Sequence, residues 1–441
     1  MLRKSSSDRL LYAITVTACL LVYVPVVFPD FQRGWDDGWE VMNMFTVLGF
    51  TPENLKTVFT EFYVAQYSPF NSVIYMVIYA IFGYSPAAFH LYPLLLHISN
   101  SCLVLLFIQR LFGKNTNADT VRRVAFITAL LFAVHPLQVE SIAWISASKI
   151  PLYTFFTLLA MITWIKYVDT GKIRYYVGVF VLFVFSYGCK EQTVVLPFTL
   201  LLLDVILCRS SLLVGEKAGD NASSRQSLGY LLLEKLPFLL FAFFGSFIMY
   251  VNQSATAIAE WAGYPFHQRI VFTCYSLADY FGKLIIPAKL LYMYPFPMAP
   301  GRELPVHFHI YPVIICSLPA FIIKTVKRSH RPVIFGLLFY LINMILVLHL
   351  VAMSRPCIVA DRYVYLGSVG LFFMAAWYGV SWWQRQKGRT RKWAIALALC
   401  YMLYLGGYAH YRTYAWKDSA TLKKEVYELL DKELLKQYRY E

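Results

Sequence analysis

The sequence predicts an all-α polytopic membrane protein with about eleven transmembrane helices, and three observations predict it. The chain is 59% hydrophobic and 15% charged, whereas soluble domains run near one-quarter charged. Apolar runs long enough to cross about 30 Å of hydrocarbon recur along it, and its mean hydropathy is +0.53. Basic residues gather in alternate connecting loops, the pattern of cytoplasmic loops.

Taken in order, spans are expected at about 10–28, 88–108, 121–136, 151–168, 174–188, 193–208, 235–252, 308–324, 333–351, 364–384 and 393–410. The apolar 69–83 run is short and reads as an interfacial or re-entrant helix, as does 266–290. No small-residue cleavage site follows the first span, which therefore reads as a retained signal-anchor. With this count, the loops holding Arg3, Lys4 and Arg9, Arg110 to Arg123, Lys166 to Arg174, Arg209 to Arg225, Lys324 to Arg331 and Arg385 to Lys392 share one side. That side is expected to be cytoplasmic, with the N-terminus inside and the C-terminus outside. The net charge of +15 also invites a nucleic-acid reading, but the charges sit at span ends, so no nucleic-acid partner is expected. Residues 1–411 form the membrane domain, with large outer loops at about 29–87 and 253–306. Residues 412–441 form a short outer tail, with one amphipathic helix expected over about 419–438 on Leu422, Val426, Leu429, Leu430, Leu434 and Leu435.

Of the cysteines, Cys19, Cys102, Cys208, Cys316 and Cys400 fall in expected spans as core fillers. Cys189, Cys274 and Cys357 fall toward the outer side, where a disulfide is permitted. No Cys-x-x-Cys metal spacing and no Gly-rich phosphate loop occurs.

The outer loops hold the unusual polar residues. Asp36, Asp37 and Glu40 follow the first span inside Gly34-Trp35-Asp36-Asp37-Gly38-Trp39-Glu40. His135, Glu140, Lys149, Lys190, Glu191, Arg355, Asp361 and Arg362 join them, while the cytoplasmic loops hold mostly simple lysine and arginine. Ionisable groups at one depth of a membrane protein suggest one polar cavity opening outward. Singly, each also fits a local structural role, and His135-Pro136 fits a helix stop. The 253–306 loop carries Trp261, Tyr264, Tyr292, Tyr294, Pro295, Phe296 and Pro297 beside a candidate short helix at Gln268–Ile286. It suits either a lipid-tail groove or simple interfacial anchoring.

These segments resemble the GT-C superfamily of polyprenyl-phosphate-sugar-dependent glycosyltransferases. Within it they are most similar to the transmembrane O-mannosyltransferases that target cadherins and to bacterial relatives with tetratricopeptide tails. The resemblance is carried by Trp35-Asp36-Asp37, Ser68-Pro69, His90 and His97, and His135-Pro136 with Glu140. It continues through Lys190-Glu191-Gln192, Asp361-Arg362-Tyr363-Val364-Tyr365-Leu366-Gly367-Ser368, and Arg412, Trp416 and Leu422. The matches run in order from about residue 30 to 422, without the tetratricopeptide tail, which leaves the acceptor open between a protein and a glycan or lipid.

The resemblance implies a GT-C fold and an inverting transfer of a sugar, mannose in the nearest relatives, from a polyprenyl-phosphate donor at the outer face. A base must take the acceptor proton, and Asp36 or Asp37 is the candidate, Asp36 first. Positive charge must meet the departing phosphate, with Arg362 first and Lys149 and Lys190 as further candidates. Glu140, Glu191, His90, His135 and Asp361 are candidates for binding sugar or acceptor hydroxyls. No cofactor is certain; adjacent Asp36 and Asp37 with a donor phosphate have the chemistry to hold Mg²⁺ or Mn²⁺. The rival reading is a transporter or flippase of a lipid-linked sugar, which should show polar groups through the membrane depth and an internal repeat. The acids concentrate on one side and no repeat is visible. A purely structural partner in a glycosylation complex is the third reading. A bacterial inner membrane, with the site facing the periplasm, is the expected location, or the endoplasmic reticulum membrane in a eukaryote.

Overall fold

The computed structural model describes residues 6–64, 66–114, 116–209, 226–254, 264–325, 331–350 and 357–427. Every predicted span falls on a helix among these residues. Among the described residues, five helical stretches are long and apolar enough to cross a membrane: Ser7–Val27, Pro86–Phe112, Ile145–Thr170, Leu228–Ile248 and Gly388–Trp416. A sixth is added if Ala118–Val134 and Pro136–Ala143, bent by 56°, count as one broken span. The bend has a local cause. His135 is extended (φ −73°, ψ 133°), as a residue before proline prefers, and the helix cannot run through it. Pro69–Phe82, Ile173–Tyr187, Val306–Ser317 and Arg331–Val347 are apolar but shorter. Helix lengths therefore support five or six of the eleven expected crossings.

Exposed apolar side chains line several of these helices. Leu233, Phe243 and Phe247 are 67%, 66% and 58% exposed on Leu228–Ser254, and Leu397 and Leu403 are 67% and 74% exposed on Gly388–Thr413. Helices with such faces are at home against lipid, where the backbone is satisfied internally. One aromatic cluster lies in the core: Phe107, Phe112, Phe335, Phe339 and Phe373 pack between Pro86–Phe112, Arg331–Met344 and Ser368–Arg385. The last two helices cross at Gly336 and Gly370, where a Cβ on either would strike the other's carbonyl oxygen. Small residues at such crossings let membrane helices approach backbone to backbone.

Irregular segments connect the helices where the sequence places its outer loops. Tyr294–Pro295 and Cys357–Val359 pair antiparallel, with Tyr294 opposite Val359. The sequence reading of simple basic loops on the cytoplasmic side missed a buried charge cluster. Asp204, Arg209, Glu234 and Lys235 form a closed set of ion pairs beneath Trp164 and Tyr167. All eight cysteines are free. The tail helix begins as expected at Ser419–Tyr427; its continuation toward residue 438, together with Trp261 and Arg355, lies outside the described residues.

Candidate active site

The adjacent acids of the first loop have opposite fates. Asp37 opens a one-turn helix, Asp37–Glu40, and its side chain is fully buried. Its Oδ2 accepts from the Gln32 amide at 2.9 Å; its Oδ1 accepts from the Ser146 amide at 3.0 Å and hydroxyl at 2.5 Å. Burial raises its pKa, against the pull of those hydrogen bonds. Asp37 thus ties the first loop to the Ile145–Ser148 turn. Gly38 permits the tight path, since a Cβ there would meet the Arg33 carbonyl oxygen at 2.8 Å. Asp36, at the helix N-cap, makes no side-chain capping bond. It is half-buried, and among the described residues its carboxylate has neither a hydrogen-bond donor nor an ion-pair partner.

Arg362 lies in the single turn Asp361–Val364, on a loop tied to the Val139–Ala143 helix. Its amide donates to Glu140 Oε2 at 2.8 Å and its Nη1 donates to Glu140 Oε1. Each Glu140 oxygen thus accepts a bond from Arg362, and the pair fixes the arginine's position. The guanidinium lies 5.1 Å from the Trp144 ring and 4.8 Å from the Tyr363 ring. Trp144 stacks on Trp416 at 5.8 Å and lies 6.4 Å from Trp35, the residue before Asp36. The Trp35, Trp144 and Trp416 rings thus form one aromatic layer, with the Arg362 guanidinium against Trp144. The Arg362 side chain keeps 20% exposure, leaving further N–H donors for a ligand. Among the described residues, the buried Trp144 Nε1 and Ser141 Oγ have no hydrogen-bond partner.

Asp361 is buried, and its Oδ1 accepts from the Tyr294 hydroxyl at 2.9 Å. Burial, with the nearby Glu140 charge, pushes its carboxyl up to about 7, against the pull of Lys283. Lys283 pairs with Asp279 at 2.6 Å and sits 3.3 Å above the Tyr294 ring centroid. Sequence reasoning missed Lys283 and Tyr294 as parts of this network. Asp279 and Lys283, four apart on the Phe266–Ile285 helix, were the available signal.

The other candidates stand in separate pairings. Lys149 Nζ binds both Glu40 oxygens, at 2.8 and 2.9 Å, and Gln66 Oε1 at 2.6 Å. Burial raises the Glu40 pKa, opposed by Lys149. Lys190 faces Glu191 at 3.5 Å. Lys149, Lys190 and Arg362 each face an acid; Lys149 is the most fully engaged, while Lys190, with its one contact at 3.5 Å, and Arg362 keep donors to spare. His135 Nδ1 accepts from the Leu137 amide at 3.3 Å, capping the turn after the bend, and its ring packs on Phe372. His90 is fully buried in the Pro86–Phe112 helix, its ring near the Asp30 backbone. The two aspartates expected at a metal site differ in their surroundings: Asp37 accepts hydrogen bonds on both oxygens, whereas among the described residues Asp36 accepts none on its side chain. Among the described residues, no group of three or more His, Cys, Asp or Glu gathers as a metal cage.

No family model matches the chain. A stretch of 151 residues, 34% of the chain, is 30% identical to a human protein described as protein O-mannosyl-transferase TMTC1. A stretch of 145 residues, 31% of the chain, is 29% identical to the mouse protein of the same description. The chain spans 15% of the length of these curated relatives, so the similarity is to one part of each.

Proposed function

We propose that the chain is a membrane glycosyltransferase that moves a sugar, mannose by likeness, from a polyprenyl-phosphate donor to an acceptor hydroxyl at the outer face. The observation that carries this reading is an Asp36 carboxylate with no hydrogen-bond or ion-pair partner among the described residues, next in sequence to a Trp35 that meets Trp144, on whose ring lies an Arg362 that Glu140 holds in place. The partial similarity to O-mannosyl-transferases supports the same class.

The step divides among these residues. Asp36 accepts the proton of the acceptor hydroxyl as its oxygen attacks the anomeric carbon. The bond from that carbon to the phosphate oxygen breaks with inversion, and the electron pair leaves on the polyprenyl phosphate. Arg362 meets the charge that grows there, and its Glu140 partner fixes it in advance so little reorganisation is needed. The aromatic layer and the apolar surroundings keep bulk water from competing as acceptor.

The test is transfer of labelled mannose from a short-chain polyprenyl-phosphate donor by purified protein, with mixed membrane and periplasmic or lumenal acceptors. Label on an acceptor supports the transferase. Donor moved across a vesicle bilayer with no label transferred overturns it in favour of a flippase.

A further inference from the structure

A cavity of about 270 Å³ opens where the Pro86–Phe112 and Lys149–Thr170 helices end together, roughly 25 Å along the second helix from Lys149. Its size is close to the lower bound for small-ligand sites, about 300 Å³. Its lining is Arg110, Ile162, Ile165, Lys166 and Asp169. Both helices belong to stretches long and apolar enough to cross a membrane. The cavity therefore lies at the level where hydrocarbon gives way to headgroups. Its lining is ordered by depth. Ile162 and Lys166 are four apart and share one face of the helix, as do Ile165 and Asp169. Each ionisable side chain thus stands one turn nearer the helix end than an isoleucine. Arg110 lies two residues from the end of its own helix. An apolar floor beneath a charged rim matches an acyl chain beneath its headgroup.

The charge at the rim stays positive once local pairs are counted. Asp169 is the acid of the lining, and Lys114 holds its Oδ1 at 2.5 Å. Asp8, near Arg110 at the start of the first helix, is paired with Arg122 at 3.2 Å. Among the described residues neither Arg110 nor Lys166 forms an ion pair with an acid. Arg110, Lys114 and Lys166 against Asp169 leave three bases to one acid. Lys166 lies 4.5 Å from the centroid of the Tyr175 ring, whose hydroxyl accepts from Arg174 at 3.1 Å, so a further cation stands close by. Such a rim attracts a phosphate and disfavours a headgroup that carries its own cation.

We propose that this cavity binds the phosphate of an anionic phospholipid, with the top of an acyl chain against Ile162 and Ile165. Arg110 offers the phosphate paired N–H donors and Lys166 a point charge, each reaching outward along an apolar stem. The lipid belongs to the leaflet that the basic loops face. Binding here is independent of whether the outer cluster transfers a sugar.

The test is native mass spectrometry of the full chain released from neutral detergent, titrated separately with phosphatidylglycerol, phosphatidylcholine and free glycerol 3-phosphate. Wild type should hold phosphatidylglycerol about tenfold more tightly than phosphatidylcholine. Glycerol 3-phosphate, which has the headgroup anion without the chains, should neither be retained nor displace the lipid. Arg110→Gln and Lys166→Gln should each weaken phosphatidylglycerol binding about fivefold. Arg389→Gln, at an exposed base that opens another helix and does not line the cavity, should leave it unchanged. Arg110 is exposed and outside any ion pair among the described residues, so Arg110→Gln keeps the fold even if Lys166→Gln does not, as melting curves would show. Equal retention of the two phospholipids, no loss in folded Arg110→Gln, or an equal loss in Arg389→Gln overturns the proposal. Displacement of the lipid by glycerol 3-phosphate assigns the cavity to a soluble phosphate and overturns it as well.

Discussion

Two clusters of charge in this molecule use the same residue types to different ends. The inner cluster is saturated. Asp204 Oδ1 accepts from Arg209 at 3.0 Å and Trp164 Nε1 at 2.9 Å, and its Oδ2 from Lys235. Glu234 takes Arg209 at 2.8 and 3.0 Å, Lys235 at 2.6 Å and the Tyr167 hydroxyl at 2.8 Å. Two acids cancel two bases, and Asp204 and Lys235 are fully buried. The outer cluster is unbalanced in its detail. Among the described residues Asp36 has no hydrogen-bond or ion-pair partner, Arg362 keeps donors to spare, and Asp361 is pushed up to about 7. The Lys149–Thr170 helix links the two, and Trp164 lies roughly 22 Å along it from Lys149. A saturated cluster fastens helices together; groups left unmatched are what a reaction can use.

The comparison is sharpened most by Asp36→Asn. Loss of a general base should cost about 10²–10⁴-fold in transfer, with the melting temperature in detergent unchanged, because the carboxylate makes no contact to lose. Asp204→Ala should do the reverse. Removing one member of a buried ion network costs about 3–5 kcal/mol, so thermal unfolding should shift sharply down while turnover per folded molecule holds. Asp37→Ala should behave like a weaker version of the inner variant. It strands the Ser146 and Gln32 donors, about 1–3 kcal/mol, and a melting shift larger than that of Asp36→Asn would show it.

The smallest effect is one of pH. The Asp361 carboxyl has an ordinary value of 3.8 and stands near 7 in the folded protein. Between those values the folded chain holds a proton that the unfolded chain has released. Stability from this group is therefore present below the lower value and is lost as pH rises through the window. Asp361→Asn should flatten the slope of melting temperature between about pH 4 and 7. A slope that persists unchanged would assign it to other groups.

Some of this was legible in the sequence. Helices stand where the apolar runs placed them, because long apolar stretches leave the backbone little choice. The number of crossings was not, because Pro136 and the short apolar helices break the match between a run of residues and a span. Asp36, Glu140 and Arg362 were singled out as residues, but not as parts. Neighbours in sequence, Asp36 and Asp37 have the same composition and loop; only the fold shows Ser146 consuming one and sparing the other. Glu140 and Arg362 lie far apart in the chain, so their pairing was invisible, as was the link from Tyr294 to Asp361. The Asp204 cluster escaped notice because Asp204 and Glu234 lie far apart in the chain, so their shared partners Arg209 and Lys235 show only in the fold.

The central claim is that Asp36 does chemistry while Asp37 holds structure. The most direct test measures transfer from polyprenyl-phosphate mannose by wild type, Asp36→Asn and Asp37→Asn, each with its melting curve and donor affinity. The account predicts that Asp36→Asn binds donor and melts like wild type yet transfers almost nothing, while Asp37→Asn melts earlier. Wild-type turnover by Asp36→Asn in folded, donor-binding protein would contradict it.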